Sequence, residues 1–270
     1  MKENYYGTIT QNVVSDNIDL HVEEIKIQGY TVIEDACKSG ELETIRSKVD
    51  SIYAGQEESF GKERLERIKE LDVCRCLPAY DDYFLELATS KKVLSLVERI
   101  LGGYYILNLQ NAIISRPNLR HHQSSWHRDL PYQNFTISEP LALNALFAID
   151  DFSEETGGTI ILPFSHQQSV LPSDEYIDKY KMTANIKAGS AVVFDSMLYH
   201  RAGYNSSNNT RRAINHVYTN PIIKQQYDFP KLLNGKFKDD PFLNQLFGYS
   251  SEVPYDDRDW RNRRLSGDDS

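Results

Sequence analysis

Five segments between residues 104 and 219 are short, aliphatic or aromatic, and fenced by turn formers, and they commit the chain to a β architecture. They are Tyr104 to Arg116, Leu141 to Ile149, Thr159 to Leu162, Ala191 to Phe194 and Arg211 to Thr219. Pro, Gly, Asn or Asp bounds each of them, and those residues interrupt pairing and make turns. The region before them reads differently. Gly29 to Glu34 has the pattern of a strand, and a helix starts at Ser39 or Glu41 and runs to about Tyr53, with Leu42, Ile45 and Val49 on one face. Lys62 to Glu70 alternates charge at helical spacing. Tyr83 to Ala88 and Lys91 to Leu101 read as two further helices, the second apolar at Val93, Leu94, Val97 and Leu101 and stopped by Gly102 and Gly103. The expected fold is therefore mainly β with flanking helices, a barrel buttressed by its N-terminal helices. One domain over residues 1–255 accommodates all of this at 270 residues. Residues 256–270 form a charged tail, poor in aliphatics and expected to be loosely ordered, with Trp260 as its anchor.

The charge balance narrows the class of partner. A net charge of −9 offers no field of Lys and Arg to draw in phosphates, so nucleic acid and anionic membrane surfaces are disfavoured and a small-molecule substrate is favoured. The first residues lack the basic, apolar, small-residue succession of a signal peptide, and no run approaches 18 apolar residues. Cys37, Cys74 and Cys76 do not suggest a disulfide scaffold, since two of them are too close and one is left over. A cytoplasmic location is expected.

Two of the segments carry side chains with metal chemistry. Residues i and i+2 of an extended strand share a face, so His127 and Asp129 in Trp126-His127-Arg128-Asp129 can grip one ion from the same side. His200, at the end of Phe194-Asp195-Ser196-Met197-Leu198-Tyr199-His200, would supply a third ligand. Two imidazoles and one carboxylate make the facial triad of non-haem Fe(II) oxygenases, which leaves three coordination positions open. A 2-oxo acid fills two of them and O2 the last. Arg211 follows His200 by eleven residues, and its planar fork is the best clamp for the far carboxylate of 2-oxoglutarate. With seven His in the chain the HxD tripeptide alone is weak; its context strengthens it. Gly203 to Asn209 reads as a hairpin turn, which would put His200 and Arg211 on neighbouring antiparallel strands with Val192, Phe194, Ser196 and Leu198 facing inward with His200.

The segments WHRDLPY, GGTIILPFSH, AGSAVVFDSMLYHRAGYN and RRAIN resemble the phytanoyl-CoA dioxygenase family, which includes ectoine hydroxylase. The resemblance runs from Gln28-Gly29-Tyr30 through Leu101-Gly102-Gly103 to about Asn220. It implies a double-stranded β-helix, the jelly-roll or cupin-like barrel, with His127, Asp129 and His200 as Fe(II) ligands and Arg211 on 2-oxoglutarate. It also carries Gln110 over as a cosubstrate contact, from the likeness of Gln110 to Pro117 to an ectoine hydroxylase segment. The implied activity is an Fe(II)- and 2-oxoglutarate-dependent dioxygenase that uses O2 to hydroxylate or otherwise oxidise an unactivated C–H bond, releasing succinate and CO2. Asp129 argues against halogenation, since halogenating relatives lack that carboxylate. Two departures stand out. Ala202 replaces the Ser that in many relatives helps hold the cosubstrate carboxylate, and Phe164 replaces the Gly of the family's PGSH turn, which suggests altered backbone geometry there.

Other residues carry two readings each. Asn144 is either a buried amide bonded to backbone or a cosubstrate or substrate contact. His121 and His122 are exposed loop residues, or extra ligands or substrate contacts. His166 fits a turn-stabilising role, His216 is out of phase with Arg211 and points outward, and Arg212 is the rival clamp. Tyr132, Gln133, Arg116, Arg120 and Arg201 are candidate pocket residues by proximity to the metal segments. The acidic pairs Asp150-Asp151 and Glu154-Glu155 read as solvated loop carboxylates. The alternative function is a metal-binding cupin-like barrel without oxygenase turnover, in a binding role or as a Zn- or Ni-type isomerase; it has no use for Arg211.

Overall fold

The computed structural model describes residues 12–130, 132, 133 and 135–266. Two antiparallel sheets face each other, and helices cover the outer face of the larger one. The larger sheet has the order β1-β7-β4-β9-β3-β2, built from β1 (Tyr30–Ile33), β2 (Val73–Cys74), β3 (Ile106–Ser115), β4 (Ala142–Ala148), β7 (Ala191–Asp195) and β9 (Arg211–Thr219). The smaller has the order β6-β5-β8, from β5 (Ile160–Ile161), β6 (Met182–Thr183) and β8 (His200–Arg201). An isolated antiparallel bridge lays His127 beside His200 of β8. The expected barrel is open: among the described residues no ladder closes the two sheets into a cylinder, and the arrangement is a double-stranded β-helix of two facing sheets.

The helices expected ahead of the strands form, and α1, not foreseen from sequence, precedes them. In α1 (Asn17–Gln28) the Asp16 side chain accepts from the Asp19 amide and Gly29 closes the helix at φ 92°. α2 (Leu42–Phe60) buries Leu42, Ile45, Val49 and Tyr53, one stripe at helical spacing. After α3 (Lys62–Arg67) and α4 (Leu85–Ala88), α5 (Lys91–Leu101) buries Val93, Leu94, Leu96, Val97 and Ile100. These stripes pack on Leu143, Ala145 and Phe147 of β4, Ala191 and Val193 of β7, and Ile214 and Tyr218 of β9. The alternate residues Leu146, Ala148, Val192, Phe194 and Ala213 form a second core between the sheets with Ile161 and Ala184. Both faces of the central strands are therefore covered, so β4 and β7 are buried at every position and apolar except for Asn144 and Asp195.

Three local readings change. Gly203 to Asn209 is no hairpin, because β8 pairs with β5 in the smaller sheet and β9 with β3 and β4 in the larger. The segment crosses between sheets, tied by the Asn205 amide to Ser115 O at 2.9 Å and Asn209 O at 2.8 Å. It passes so close to Gly157-Gly158 that a Cβ on Gly203 would lie 2.5 Å from Gly158 O. Phe164 keeps the left-handed conformation of the glycine it replaces, at φ 65°, so the turn geometry survives and the side chain bears the strain. Residues beyond Pro254 include a helix. After α6 (Asp174–Tyr180), α7 (Phe229–Leu233) and α8 (Pro241–Phe247), α9 (Asp257–Ser266) is supported by Arg261–Asp257 and Arg263–Asp259 pairs one turn apart, with the Arg264 guanidinium over the Trp260 ring. Among the described residues, no helix is long and apolar enough to cross a membrane.

Candidate metal centre

Backbone pairing builds the centre. His127 N donates to His200 O at 3.0 Å and His200 N donates to His127 O at 3.1 Å, which sets the two imidazoles side by side with centroids 4.3 Å apart. Two residues on, Asp129 N donates to Ser196 O at 3.1 Å. Each imidazole lies with Nδ1 2.9 Å from a carbonyl, Ser125 O for His127 and Leu198 O for His200. That contact places the proton on Nδ1 and leaves the Nε2 lone pair free to ligate. His127 Nε2 and His200 Nε2 stand 3.7 Å and 3.6 Å from Asp129 Oδ1, and one donor atom from each of the three residues lies within 4.8 Å of the others. Burial pushes the His200 pKa below its ordinary value despite the pull of Asp129, and the neutral ring is the form that binds metal.

The other Asp129 oxygen is held from below. Oδ2 accepts from Asn144 Nδ2 and, at 3.3 Å, from Asn215 Nδ2, while Ser196 Oγ donates to Asn144 Oδ1 at 2.5 Å. Asn144 is thus neither a backbone-bonded amide nor a residue free to meet a ligand; it orients the carboxylate. Asn215 was not singled out from sequence, though it shares a β9 face with Arg211; Ser196 was read as inward-facing with His200, but without a role.

Arg211 is 2% exposed, yet among the described residues no carboxylate pairs with it, the Asp150 charge acting on it only from a distance. Its Nη2 donates to Gly157 O at 2.7 Å and its guanidinium lies over the Phe152 ring at 4.8 Å. Burial lowers its pKa to about 10, so it remains a cation at neutral pH. It opens onto the same small cavity as His127, Asp129, His200, Thr159 and Ala202. Arg212 faces the other way and pairs with Asp50 and Asp150. A larger cavity of about 700 Å³ adjoins this one and shares Ile113, Gln123, Asp129 and Asn215 with it.

Gln110 is not part of the site. Its amide donates to Phe84 O at 2.9 Å and meets His216 Nε2 at 2.6 Å, on the helix-covered face, while Asn111 and Ile113 line the cavities. The β3–β9 register, Gln110 opposite His216, puts both out of phase with Arg211. Of the candidate pocket residues, Gln133 and the 96% exposed Tyr132 line the larger cavity and Arg201 the smaller. Arg116 is held by Asp72 at 2.6 Å and Arg120 by Ser124 at 2.9 Å. His166 Nε2 lies 3.4 Å from Lys26 O, beside its turn. Asp150 and Asp151 are paired with Arg46, Arg212 and Lys187. Pro131 lies outside the described residues.

A family model described as phytanoyl-CoA dioxygenase (PhyH) matches residues 25–213. The chain belongs to the phytanoyl-CoA dioxygenase family. An uncharacterized protein of Mycobacterium tuberculosis is 36% identical over 250 residues, 88% of this chain and 89% of that one. An Fe(II)/2-oxoglutarate-dependent dioxygenase of Aspergillus novofumigatus is 30% identical over 106 residues, 38% of this chain and 35% of its own. Among solved structures, the non-heme alpha ketoglutarate dependent epimerase SnoN from nogalamycin biosynthesis shares the fold at a TM-score of 0.54 and 21% identity, covering 76% of this chain and 83% of that one. The matched family segment spans His127, Asp129, His200 and Arg211.

Proposed function

We propose that this protein is an Fe(II)- and 2-oxoglutarate-dependent oxygenase that hydroxylates an unactivated C–H bond of a small molecule, with release of succinate and CO2. The observation that carries the reading is Arg211: a buried guanidinium without a carboxylate partner, opening onto the cavity that also holds the three candidate ligands. A buried cation is costly unless an anion meets it, and the distal carboxylate of 2-oxoglutarate is such an anion. The residues fit the metal as well. His127, Asp129 and His200 offer two nitrogens and one oxygen from one side, the donor set of a non-haem Fe(II) centre. Bound Fe(II), with 2-oxoglutarate and O2, supplies the oxidising chemistry.

The chain's own work is positioning and exclusion. The carbonyls of Ser125 and Leu198 fix the two imidazole tautomers, and Asn144 with Asn215 turns one oxygen of Asp129 toward them. Phe194, packed 4.8 Å from the His200 ring, and Leu146 keep the inner wall dry. The adjoining cavity of about 700 Å³ seats the substrate against Asp129 and Asn215. The free thiols of Cys37, Cys74 and Cys76 and an Fe(II) cofactor suit a reducing, cytoplasmic setting. A structural barrel or a Zn-type isomerase has no role for a buried Arg211. The test is anaerobic Fe(II) titration with and without 2-oxoglutarate, in wild type and Arg211→Ala, following the visible charge-transfer band of the chelate. The band requires both components, and 2-oxoglutarate binds at least about 100-fold more weakly in the variant. Stoichiometric metal binding with no band would overturn the oxygenase reading.

A further inference from the structure

Among the described residues, four buried hydrogen-bond donors around the site have no partner: Arg211 Nε, Ser115 Oγ, His121 Nε2 and Arg201 Nε, the last on a guanidinium that lies over the Trp126 ring at 5.2 Å. Arg211, Ser115 and His121 are 2%, 1% and 8% exposed, whereas Arg201 is half-buried. Orphaned buried donors are rare, and several together need one explanation. Ser115 and Arg211 are direct partners in the β3–β9 ladder. Directly opposed residues project from the same face with Cβ atoms about 4.5–5.5 Å apart. The face is the inner one, since Ile113, two residues before Ser115, lines the same cavity as Arg211. His121 comes from the loop after β3. Its Nδ1 accepts from Gln123 N at 3.2 Å, so Nε2 carries the proton and is a donor. Burial, with the charges of His122, Arg211 and His127 acting alongside, lowers the His121 pKa to about 3, so the ring is neutral and within electrostatic reach of Arg211 and His127.

Arg211, Ser115 and His121, the three buried residues, offer N–H and O–H donors and no carboxylate. A ligand carboxylate supplies about four lone-pair sites, enough for all of them. Ala202 lines the cavity with Arg211 and has no hydroxyl to give, while Ser115 and His121 lie behind that lining. We propose that Ser115 and His121 complete, with Arg211, the seat for the distal carboxylate of 2-oxoglutarate, supplying the hydrogen bonds that Ala202 cannot. The proposal rests on the oxygenase reading and adds residues outside the strand that bears Arg211.

The experiment separates the distal carboxylate from the chelating end of the ligand. Fe(II)-loaded protein is titrated anaerobically with 2-oxoglutarate and with 2-oxopentanoate, which keeps the 2-oxo acid and replaces the distal carboxylate by a methyl group. Ser115→Ala and His121→Phe each weaken 2-oxoglutarate about tenfold and leave 2-oxopentanoate unchanged. His121→Gln keeps a donor of similar reach and recovers most of the loss. Equal weakening of both ligands, or none for either, would overturn the proposal; a wild type that binds neither ligand would instead remove the oxygenase reading itself. Should His121→Phe fail to fold, the Ser115→Ala comparison decides alone.

Discussion

Asp195 shapes the turn that delivers His200, and its charge is a liability that can be removed. The residue is 7% exposed at the end of β7. Its Oδ1 accepts from Met197 N at 2.8 Å, and its carbonyl accepts from Leu198 N at 2.8 Å, so the side chain organises the residues between the strand and the metal segment. Burial raises its pKa from 3.8 to about 6, against the opposing pull of the Met197 amide and Arg128. A carboxyl whose folded pKa is raised gives its full stability below the unfolded value and loses it as pH rises through the folded value. At pH 7 the shift of about 2 units corresponds to a destabilisation of about 3 kcal/mol. Asp195→Asn keeps the acceptor and removes the charge. The new amide protons need a partner, which costs about 1 kcal/mol, so the variant is more stable than wild type by about 2 kcal/mol at pH 7. Between pH 7 and pH 4 that advantage falls by about 2 kcal/mol, because the wild-type carboxyl is then protonated in the folded state. Urea unfolding of the apo-protein at the two pH values measures both numbers. A stability difference that stays constant with pH would show that Asp195 titrates normally and that its burial is not what governs it.

Two further substitutions test the account of the site and of the fold. Asn144→Leu removes the amide that holds Asp129 Oδ2, and Fe(II) affinity, measured by competition with a chromogenic chelator, falls about 10- to 100-fold. An unchanged affinity would reduce Asn144 to a packing residue. Phe164→Gly relieves a left-handed residue that is largely exposed and raises the melting temperature, with a gain of about 1 kcal/mol; a loss instead would mean that the ring packs more than the strain costs.

The three residues that cluster as candidate metal ligands were legible in the sequence because their signals are local. The i, i+2 spacing of His127 and Asp129 works within one extended segment, and Val192 and Phe194 ahead of His200 fix which face is inward. The sequence misleads where the answer depends on partners far along the chain. Gly203 to Asn209 has the composition of a hairpin, and nothing in that composition says that its two flanking strands join different sheets. Gln110 is one residue from the facing position Asn111, and only the register of β3 against β9 shows which of the two looks into the cavity. Phe164 shows the reverse: the turn imposes its geometry on a residue that disfavours it, so a composition rule at one position is overridden by the contacts around it. The tail was read from its charge and lack of aliphatics as loosely ordered; the Asp and Arg pairs four residues apart that support α9 went unread.

The same alternation that hides the strands from water also sorts the chemistry. On β4, β7 and β9, every second residue enters the helix-packed core, while the intervening ones face the smaller sheet. Along that inner face the residues change from aliphatic to polar: Leu146 and Ala148 give way to Asn144 on β4, and Ala213 is flanked by Arg211 and Asn215 on β9. Arg211 and Asn215 are four residues apart, roughly 13 Å along a strand. The proposed cosubstrate clamp at one end and the residue that holds Asp129 at the other are thereby separated by the regular rise of a single strand. Slipping β9 by one residue would send both to the helix side and bring Ile214 and His216 inward. The register of β9 between β3 and β4 is therefore the structural requirement of the site, more than any loop around it.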